Sequence, residues 1–174
     1  MAASISVRED RMATRRHQAV LLVGCCFLFL VNGAAAQTLQ IINSDGQSTT
    51  FTAAQIASSP HVTVNVKDHD VPAQFEGVPL ATLLSSAGIQ LGDKLRGPRL
   101  TEVVTVEASD GYKVVFALAE VDPAFATREI ILANKRDGKP LDAKEGPFRI
   151  VAPGDGRPAR WVRQVTVLRI SSPK

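Results

Sequence analysis

Residues 146–165 read Gly-Pro-Phe-Arg-Ile-Val-Ala-Pro-Gly-Asp-Gly-Arg-Pro-Ala-Arg-Trp-Val-Arg-Gln-Val and are the most informative part of the chain for its fold. They join a short apolar strand to a loop rich in proline and glycine. Three arginines spaced three residues apart (Arg157, Arg160 and Arg163) surround Trp161, the single tryptophan. Guanidinium groups pair bidentately with phosphate and carboxylate groups. A strand that leads into a rigid loop carrying several of them predicts a site for an anion.

The neighbouring segments read mainly as strands. Residues 148–152 and 165–170 are predicted strands that flank the loop. Upstream, residues 102–108 and 112–118 form a predicted hairpin around Asp110-Gly111, a pair suited to the positive φ angles of a tight turn. Asp137-Gly138 marks a further turn after the apolar run 130–133.

The first part of the domain adds two short helices. Residues 39–42 and 48–51 predict a small hairpin, and a capping box at 52–55 opens a short helix that ends near Pro60. Val62, Val64 and Val66 alternate with polar residues, as in a half-buried strand. Pro79 at a first helical position and Gly88 as the stop predict a helix of about three turns. Strands outnumber helices and no repeat or linker divides the sequence, so we expect an α+β fold, a strand-dominated single domain.

The first 36 residues have the features of a secretory signal. Arg15, Arg16 and His17 form a positively charged start, residues 19–31 are apolar, and Ala34-Ala35-Ala36 offers a small-residue cleavage site. The apolar run is too short to span a membrane comfortably. We therefore expect a signal peptide over residues 1–36, a domain over residues 37–174, and a periplasmic or secreted protein without a membrane span.

Two features of the signal leave alternatives open. Arg15-Arg16 partly matches a twin-arginine signal, so the sequence does not decide between that route and general export. Residues 22–25, Leu-Val-Gly-Cys, resemble a lipoprotein cleavage box. Cleavage after Ala36 removes both cysteines, Cys25 and Cys26, so the mature domain is expected to hold no thiol and no disulfide.

Charge is distributed unevenly along the predicted domain. Residues 37–127 hold 5 basic and 10 acidic side chains, a net charge of −5, whereas residues 128–174 hold 11 basic and 5 acidic ones, a net charge of +6. This polarity favours an anionic partner for the C-terminal part. Because an exported protein rarely meets nucleic acid, nucleic acid is not expected as that partner.

Three motifs occur in the order and spacing of one known family. They are Phe75-Glu76-Gly77-Val78-Pro79-Leu80, the run Ser109-Asp110-Gly111-Tyr112, and the segment 146–170 with its Gly-Pro-x-Arg strand, Pro-Gly loop, basic stretch and final strand. Together they resemble the oxidoreductase molybdopterin-binding domain, the catalytic domain fold of sulfite oxidase. The resemblance implies a strand-dominated α+β domain of the sulfite oxidase molybdopterin-binding type.

The resemblance also implies candidate cofactor-binding residues. The family's Arg-x-x-Lys pair, which contacts the pterin cofactor, corresponds to Arg157 and Arg160. Gly154 and Gly156 let the loop turn or approach a ligand closely. Trp161 and Tyr112 are the aromatic candidates, although a lone tryptophan and an aromatic residue after Asp-Gly are more often packing residues.

One departure from the family concerns the metal. In the resembling enzymes a cysteine thiolate at the end of an upstream strand is a ligand of molybdenum, and aligning residues 63–66 with that strand places Val66 at its position. A valine side chain has no atom that coordinates a metal. Residues 67–70, Lys-Asp-His-Asp, with His61 nearby, offer metal-ligating groups, but a polar tetrapeptide after a strand is more typical of a solvated turn. No metal ligand is therefore predicted.

Other catalytic motifs are weak or missing. Gly154-x-Gly156-x-x-Ala159 fits a dinucleotide fingerprint in letters, but Pro158 and the β-branched residues that follow lead into a strand, whereas that motif opens a helix. The sequence contains no Gly-x-Ser-x-Gly, His-Glu-x-x-His or Gly-Lys-Ser/Thr motif.

Two hypotheses of function follow. The first is an exported molybdopterin-binding-domain-like protein, a reduced or accessory relative of the oxidoreductases, with an anion or pterin pocket and no cysteine-ligated molybdenum. The second is a cofactor-free extracytoplasmic binding module for a protein or a small anionic ligand. Molybdopterin and no cofactor at all are equally compatible with the sequence, which also leaves open whether the protein is an enzyme.

Overall fold

The computed structural model describes residues 37–172, which form two five-stranded sheets with short helices between their strands. The predicted signal peptide and its cleavage site lie outside the described residues. Ten strands occur in this part of the chain: β1 Thr38–Ile42, β2 Ser48–Thr52, β3 Val62–Asp68, β4 Val71–Pro79, β5 Val103–Ala108, β6 Lys113–Ala117, β7 Ile131–Arg136, β8 Lys139–Pro140, β9 Arg149–Val151 and β10 Val165–Ser171. The helices are α1 Ala53–Ser58, α2 Leu80–Ser86 and α3 Leu118–Val121, with 3-10 turns at Gly92–Lys94, Gly97–Thr101 and Pro158–Arg160.

The first sheet has the strand order β2-β1-β10-β5-β6. Its strands pair antiparallel except for β1 and β10, which are parallel. The second sheet has the order β3-β4-β7-β8, and β9 also pairs with β7. Alternate side chains of both sheets join one cluster of buried apolar residues, including Leu39, Val106 and Leu168 from the first sheet and Phe75 and Leu132 from the second. Burial alternates along β1, β3 and β5, as in strands with one face in a core, whereas all three residues of β9 are buried.

Most of the predicted elements are confirmed. The capping box of α1 is complete, because Thr52 accepts from the Gln55 backbone and the Gln55 side chain accepts from the Thr52 backbone. Strand β3 is half-buried, with Val62, Val64 and Val66 packed against the core. Asp137 and Gly138 both have positive φ, at 50° and 74°. Among the described residues no helix is long and apolar enough to cross a membrane.

Three details of the prediction are wrong. The nine-residue strand β4 was not predicted, because its buried Phe75, Gly77 and Val78 do not show a clean alternation across a β-bulge. Pro79 ends β4 and caps α2, which has seven residues and therefore about two turns. In the β5–β6 turn Gly111 has a φ of 87°, while Asp110 is not in the positive region.

Gly77 is required by a close approach of two backbones. It lies at the register shift between β4 and β7, where an added Cβ would be 2.5 Å from the Cα of Ala133 and would overlap the Leu132 carbonyl. No side chain fits there without moving the neighbouring strand. The glycine of the Phe-Glu-Gly-Val-Pro motif therefore holds β4 and β7 together, and thereby positions β3 and its turn at the edge of the sheet.

Candidate functional site

An open cleft of about 1080 Å³ brings together four separate segments of the chain. These are the end of β3 with the turn that follows it, the turn between β5 and β6, the segment before β9 with Lys144, and the loop 153–164. Five of the six predicted site residues line the cleft, namely Tyr112, Gly154, Gly156, Arg157 and Trp161. Val66, at the position that the family resemblance gives to the metal ligand, lines it as well. The structure thus brings five of these residues together, and their cofactor-binding role stays a prediction.

Four exposed cations line the cleft, Lys67, Lys144, Arg157 and Arg163. None of them forms a salt bridge with another residue in the range 37–172, whereas Arg128, Arg136, Arg149 and Arg160 all do. Asp155, one of the acidic residues of the lining, is already paired with two arginines outside the lining. The other two acidic residues of the lining, Asp70 and Asp110, form no salt bridge within residues 37–172. Four cations and these two acids leave the cleft with a net charge of +2 from side chains outside salt bridges, which favours an anionic ligand.

Arg160 is not among the residues that line the cleft, in contrast to its partner in the predicted pair. Its Nη2 donates to Asp155 Oδ1 at 2.6 Å, and its Nη1 donates to Glu120 Oε2 at 3.2 Å. Its guanidinium also lies 4.5 Å from the centre of the Phe116 ring. The hydrogen bond to Asp155 is the main reason that the pKa of Arg160 is raised. In this arrangement Arg160 supports the loop, and its predicted cofactor-binding role stays a prediction.

Asp155 anchors the cleft loop to the body of the domain. Its Oδ1 accepts from Arg128 Nη1 at 2.8 Å as well as from Arg160, and its side chain is 7% exposed. Arg128 also pairs with Glu120 at 3.2 Å. These ion pairs between two carboxylates and two arginines thus hold the loop in place. Arg157, two residues after Asp155, is presented by a loop that is already held.

The aromatic residues have different roles. Tyr112 is 50% exposed, and its hydroxyl donates to the Ala159 carbonyl at 2.9 Å, which ties the β5–β6 turn to the cleft loop. Trp161 is 5% exposed, donates from Nε1 to the Ala152 carbonyl at 3.0 Å and packs edge-on against Phe75. Trp161 is therefore a core residue that also borders the cleft, while the ring of Tyr112 is open to a ligand.

A buried ion-pair cluster packs against Trp161, and its residues are not among those predicted from the sequence. Arg149 is 1% exposed, and its Nη1 donates to Glu145 Oε1 at 2.7 Å and to Asp68 Oδ2 at 3.0 Å. Arg136 Nη1 bonds the same two oxygens at 3.0 and 3.2 Å. Two acids face two arginines, so the charges of this cluster balance. The sequence signal was the arginine of the Gly-Pro-x-Arg strand, since a charged residue within a run of buried apolar residues needs a partner.

Two aromatic rings complete the environment of Arg149. Its guanidinium lies 5.0 Å from the centre of the Phe75 ring and 5.7 Å from that of Trp161, within cation–π range. Its Nε has no hydrogen-bond partner. Burial raises the pKa of Asp68, but the hydrogen bond and charge of Arg149, the hydrogen bond of His69 and the charge of Arg136 outweigh it and hold that pKa below its ordinary value. Asp68 is therefore a carboxylate at neutral pH.

The residues at the cleft do not fit a cysteine-ligated metal. Val66 lines the cleft and offers no donor atom, and the part of the chain that the structure describes contains no cysteine. His69 lies at the rim, where its Nδ1 bonds Asp68 Oδ1 at 2.9 Å, and His61 bonds Ser59 and Asn134 away from the cleft lining. Within residues 37–172 no cluster of three histidine, cysteine or acidic residues suits a metal ion.

Residues 32–174 match the family described as oxidoreductase molybdopterin binding domain. The chain belongs to this family. The match covers all the described residues, including the cleft, its loop and the buried cluster. Membership fits the two-sheet architecture and the close approach at Gly77, and it confirms the family resemblance of the sequence.

A solved structure shows the same fold. The sulfane dehydrogenase SoxCD from Paracoccus pantotrophus superposes with a TM-score of 0.59 and 20% sequence identity, over 77% of this chain and 38% of that one. This chain thus spans less than half the length of that protein. No curated protein matches the sequence. The fold class predicted from the sequence, a strand-dominated domain of the sulfite oxidase molybdopterin-binding type, is confirmed.

Proposed function

We propose that this protein is a metal-free anion-binding relative of the molybdopterin-dependent oxidoreductases, and that its cleft holds a phosphate- or carboxylate-bearing ligand. A phosphorylated pterin is the ligand that family membership suggests. The observation that carries the proposal is the set of four exposed cations in the cleft without salt bridges inside the described range. We assign ligand binding first to Arg157 and Arg163.

Preorganisation of the cleft loop supports this assignment. Asp155 holds the loop through Arg128 and Arg160, and Tyr112 holds it through the Ala159 carbonyl. A ligand that arrives at Arg157 therefore orders only the arginine side chain, and less ordering on binding means higher affinity. The exposed ring of Tyr112 offers a surface on which the flat part of a ligand can stack.

The same cleft argues against molybdenum chemistry of the cysteine type. Val66 provides no metal ligand at the family position, so the metal-bearing part of a cofactor would lack its protein anchor. The cationic residues fit the anionic part of such a cofactor, where they would hold phosphate oxygens by charge-assisted hydrogen bonds. We therefore propose an accessory or reduced role and assign no redox step to these residues.

Calorimetric titration with inorganic phosphate and with a phosphate-bearing pterin tests the proposal. A charge-assisted hydrogen bond contributes about 1.5 to 3 kcal/mol, so Arg157→Ala should weaken binding roughly 10- to 100-fold. Arg96→Ala is the matched control, because Arg96 is an exposed arginine that does not line the cleft. Equal affinity in Arg157→Ala and the wild type, or no binding by the wild type, would contradict the proposal.

Elemental analysis tests the proposal that the protein holds no metal. Protein produced in cells that make the molybdenum cofactor should contain no stoichiometric molybdenum. About one molybdenum per chain would require a ligand other than cysteine and would overturn this part.

We also propose that the protein acts in the periplasm or is secreted, because residues 1–36 read as a secretory signal. Intact mass of the exported protein tests it. A mature chain beginning at Gln37 is expected, whereas a lipid-modified chain beginning at Cys25 would indicate an anchored protein.

A further inference from the structure

Strand β3 has an unpaired edge. It is the first strand in the order β3-β4-β7-β8 and pairs only with β4 among the described strands. With seven residues it is longer than the edge strands β2 and β6 of the other sheet, which have five each. Exposed edges are usually shortened, bulged or covered, because their free backbone groups can pair with another chain. Among the edge strands in the described part of the chain, β3 is the only one that contributes residues to the lining of the cationic cleft.

The register identifies which backbone groups are free. Asp68 and Val71 face each other across the two-residue turn, so this pair and every second pair after it exchange hydrogen bonds within the hairpin. The intervening residues of β3 are Thr63, Asn65 and Lys67, and their N–H and C=O groups are directed to the open edge. The pairing of Lys67 with Pro72, which has no N–H, agrees with this register. No backbone partner within residues 37–172 satisfies these groups.

The open edge lies beside the cations of the cleft. Asn65, Val66 and Lys67 of β3 line the cleft together with Arg157 and Arg163. A strand added next to β3 would place alternate side chains on the two faces of the extended sheet. Carboxylates on one of those faces would meet the unpaired cations, and Lys67, which repels a basic strand, would attract an acidic one.

From these observations we propose that an extended acidic peptide adds to the free edge of β3 and places its carboxylates among the cleft cations. The inference rests on the proposed anion-binding function, and it names the anion as the side chains of a protein partner. Backbone hydrogen bonds to Thr63, Asn65 and Lys67 give the affinity, and the cations select an acidic sequence. Such a partner would occupy the cleft in place of a small ligand.

Fluorescence polarisation with two capped, labelled peptides tests this. One is Val-Glu-Val-Glu-Val-Glu-Val, which has the same length as the seven-residue strand β3, and the other has lysine in place of glutamate. The glutamate peptide should bind, and inorganic sulfate should compete with it. The lysine peptide should bind at least roughly tenfold more weakly, since like charges would be juxtaposed.

The protein variant Asn65→Pro removes a backbone donor from the open edge without breaking a backbone hydrogen bond to β4, and Asn65→Ala removes only the side chain. Both variants lose the side-chain hydrogen bond that Gln74 Nε2 of β4 donates to Asn65 Oδ1 at 3.2 Å, so the comparison between them isolates the backbone donor. Asn65→Pro should weaken peptide binding roughly tenfold, and Asn65→Ala should change it by less than about threefold. Sulfate binding should be the same in both variants. Thermal unfolding checks that both are folded.

A second arm does not depend on a protein variant. Two versions of the glutamate peptide carry N-methyl groups on alternate amides, so that one loses the donors facing β3 and the other those facing solvent. The version without donors facing β3 should lose binding, and the version without donors facing solvent should keep it. Equal binding of both versions, or equal binding by Asn65→Pro and Asn65→Ala, overturns the inference. If the wild type binds inorganic phosphate in that case, the proposed function stands; if it binds neither inorganic phosphate nor the glutamate peptide, both are overturned.

Discussion

The buried cluster and the cleft use the same kinds of residue for opposite purposes. In the cluster, Arg136 and Arg149 face Asp68 and Glu145 at hydrogen-bonding distance, so every charge has a counter-charge. In the cleft, the cations Lys67, Lys144, Arg157 and Arg163 have no salt bridge within residues 37–172. Lys67 and Asp68 are neighbours on β3 and belong to different groups, because successive side chains of a strand point to opposite faces. The net charge of a segment therefore does not show which charges are available to a ligand.

The largest expected effect on stability comes from the removal of Arg149. Arg149→Leu leaves Asp68 and Glu145 buried with Arg136 alone, and breaking a buried pair costs about 3 to 5 kcal/mol. The free energy of unfolding in urea should fall by that amount. Arg163→Leu is the control from the exposed cleft, with an expected change within about 0.5 kcal/mol. Similar losses in the two variants would show that the cluster does not stabilise the fold.

A smaller effect separates the two arginines of the predicted pair. Arg160→Ala removes the hydrogen bonds to Asp155 and Glu120, and the unfolding free energy should fall by about 1 to 3 kcal/mol. Arg157→Ala should change it by less than about 0.5 kcal/mol. Chemical unfolding of both variants measures the difference. An equally small loss in Arg160→Ala would contradict the role of Arg160 in supporting the loop.

Acid should weaken the cluster and leave the cleft cations charged. The pKa of Asp68 is lowered in the folded state, so its contribution to stability is present above the ordinary pKa of 3.8 and is lost as the pH falls through the folded value. Between pH 7 and pH 3 the wild type should therefore lose more unfolding free energy than Asp68→Asn, which starts from a lower stability. Urea unfolding at both pH values measures this, and parallel losses would exclude Asp68 as a source of acid sensitivity.

The sequence predicted those parts of the fold that depend on local signals. The alternation of Val62, Val64 and Val66, the capping box at Thr52 and the Asp137-Gly138 turn each depend on residues close in the chain. Strand β4 was missed because its bulge at Gly77 is set by contact with β7, more than fifty residues away. Local patterns carry no information about such a contact.

The sequence indicated part of the candidate site. The motifs indicated Tyr112, Gly154, Gly156, Arg157 and Trp161, which the structure brings to one cleft. The motifs did not distinguish Arg157 from Arg160, because that difference arises from the pairing of Arg160 with Asp155 and Glu120 in the folded chain, and Glu120 lies 40 residues before Arg160. They also did not indicate that Lys67 and Lys144 join the cleft, since the fold alone brings β3 and the segment before β9 to the loop.

The position of Trp161 gives the protein an optical reporter of its own. It is the single tryptophan in the sequence, and its indole lies between the cleft and the guanidinium of Arg149, 5.7 Å away. Its emission therefore comes from one known place, next to the buried guanidinium of Arg149 and at the border of the open cleft. A ligand that enters the cleft changes the polarity around one face of the ring, so the intrinsic fluorescence of unlabelled protein can follow binding directly.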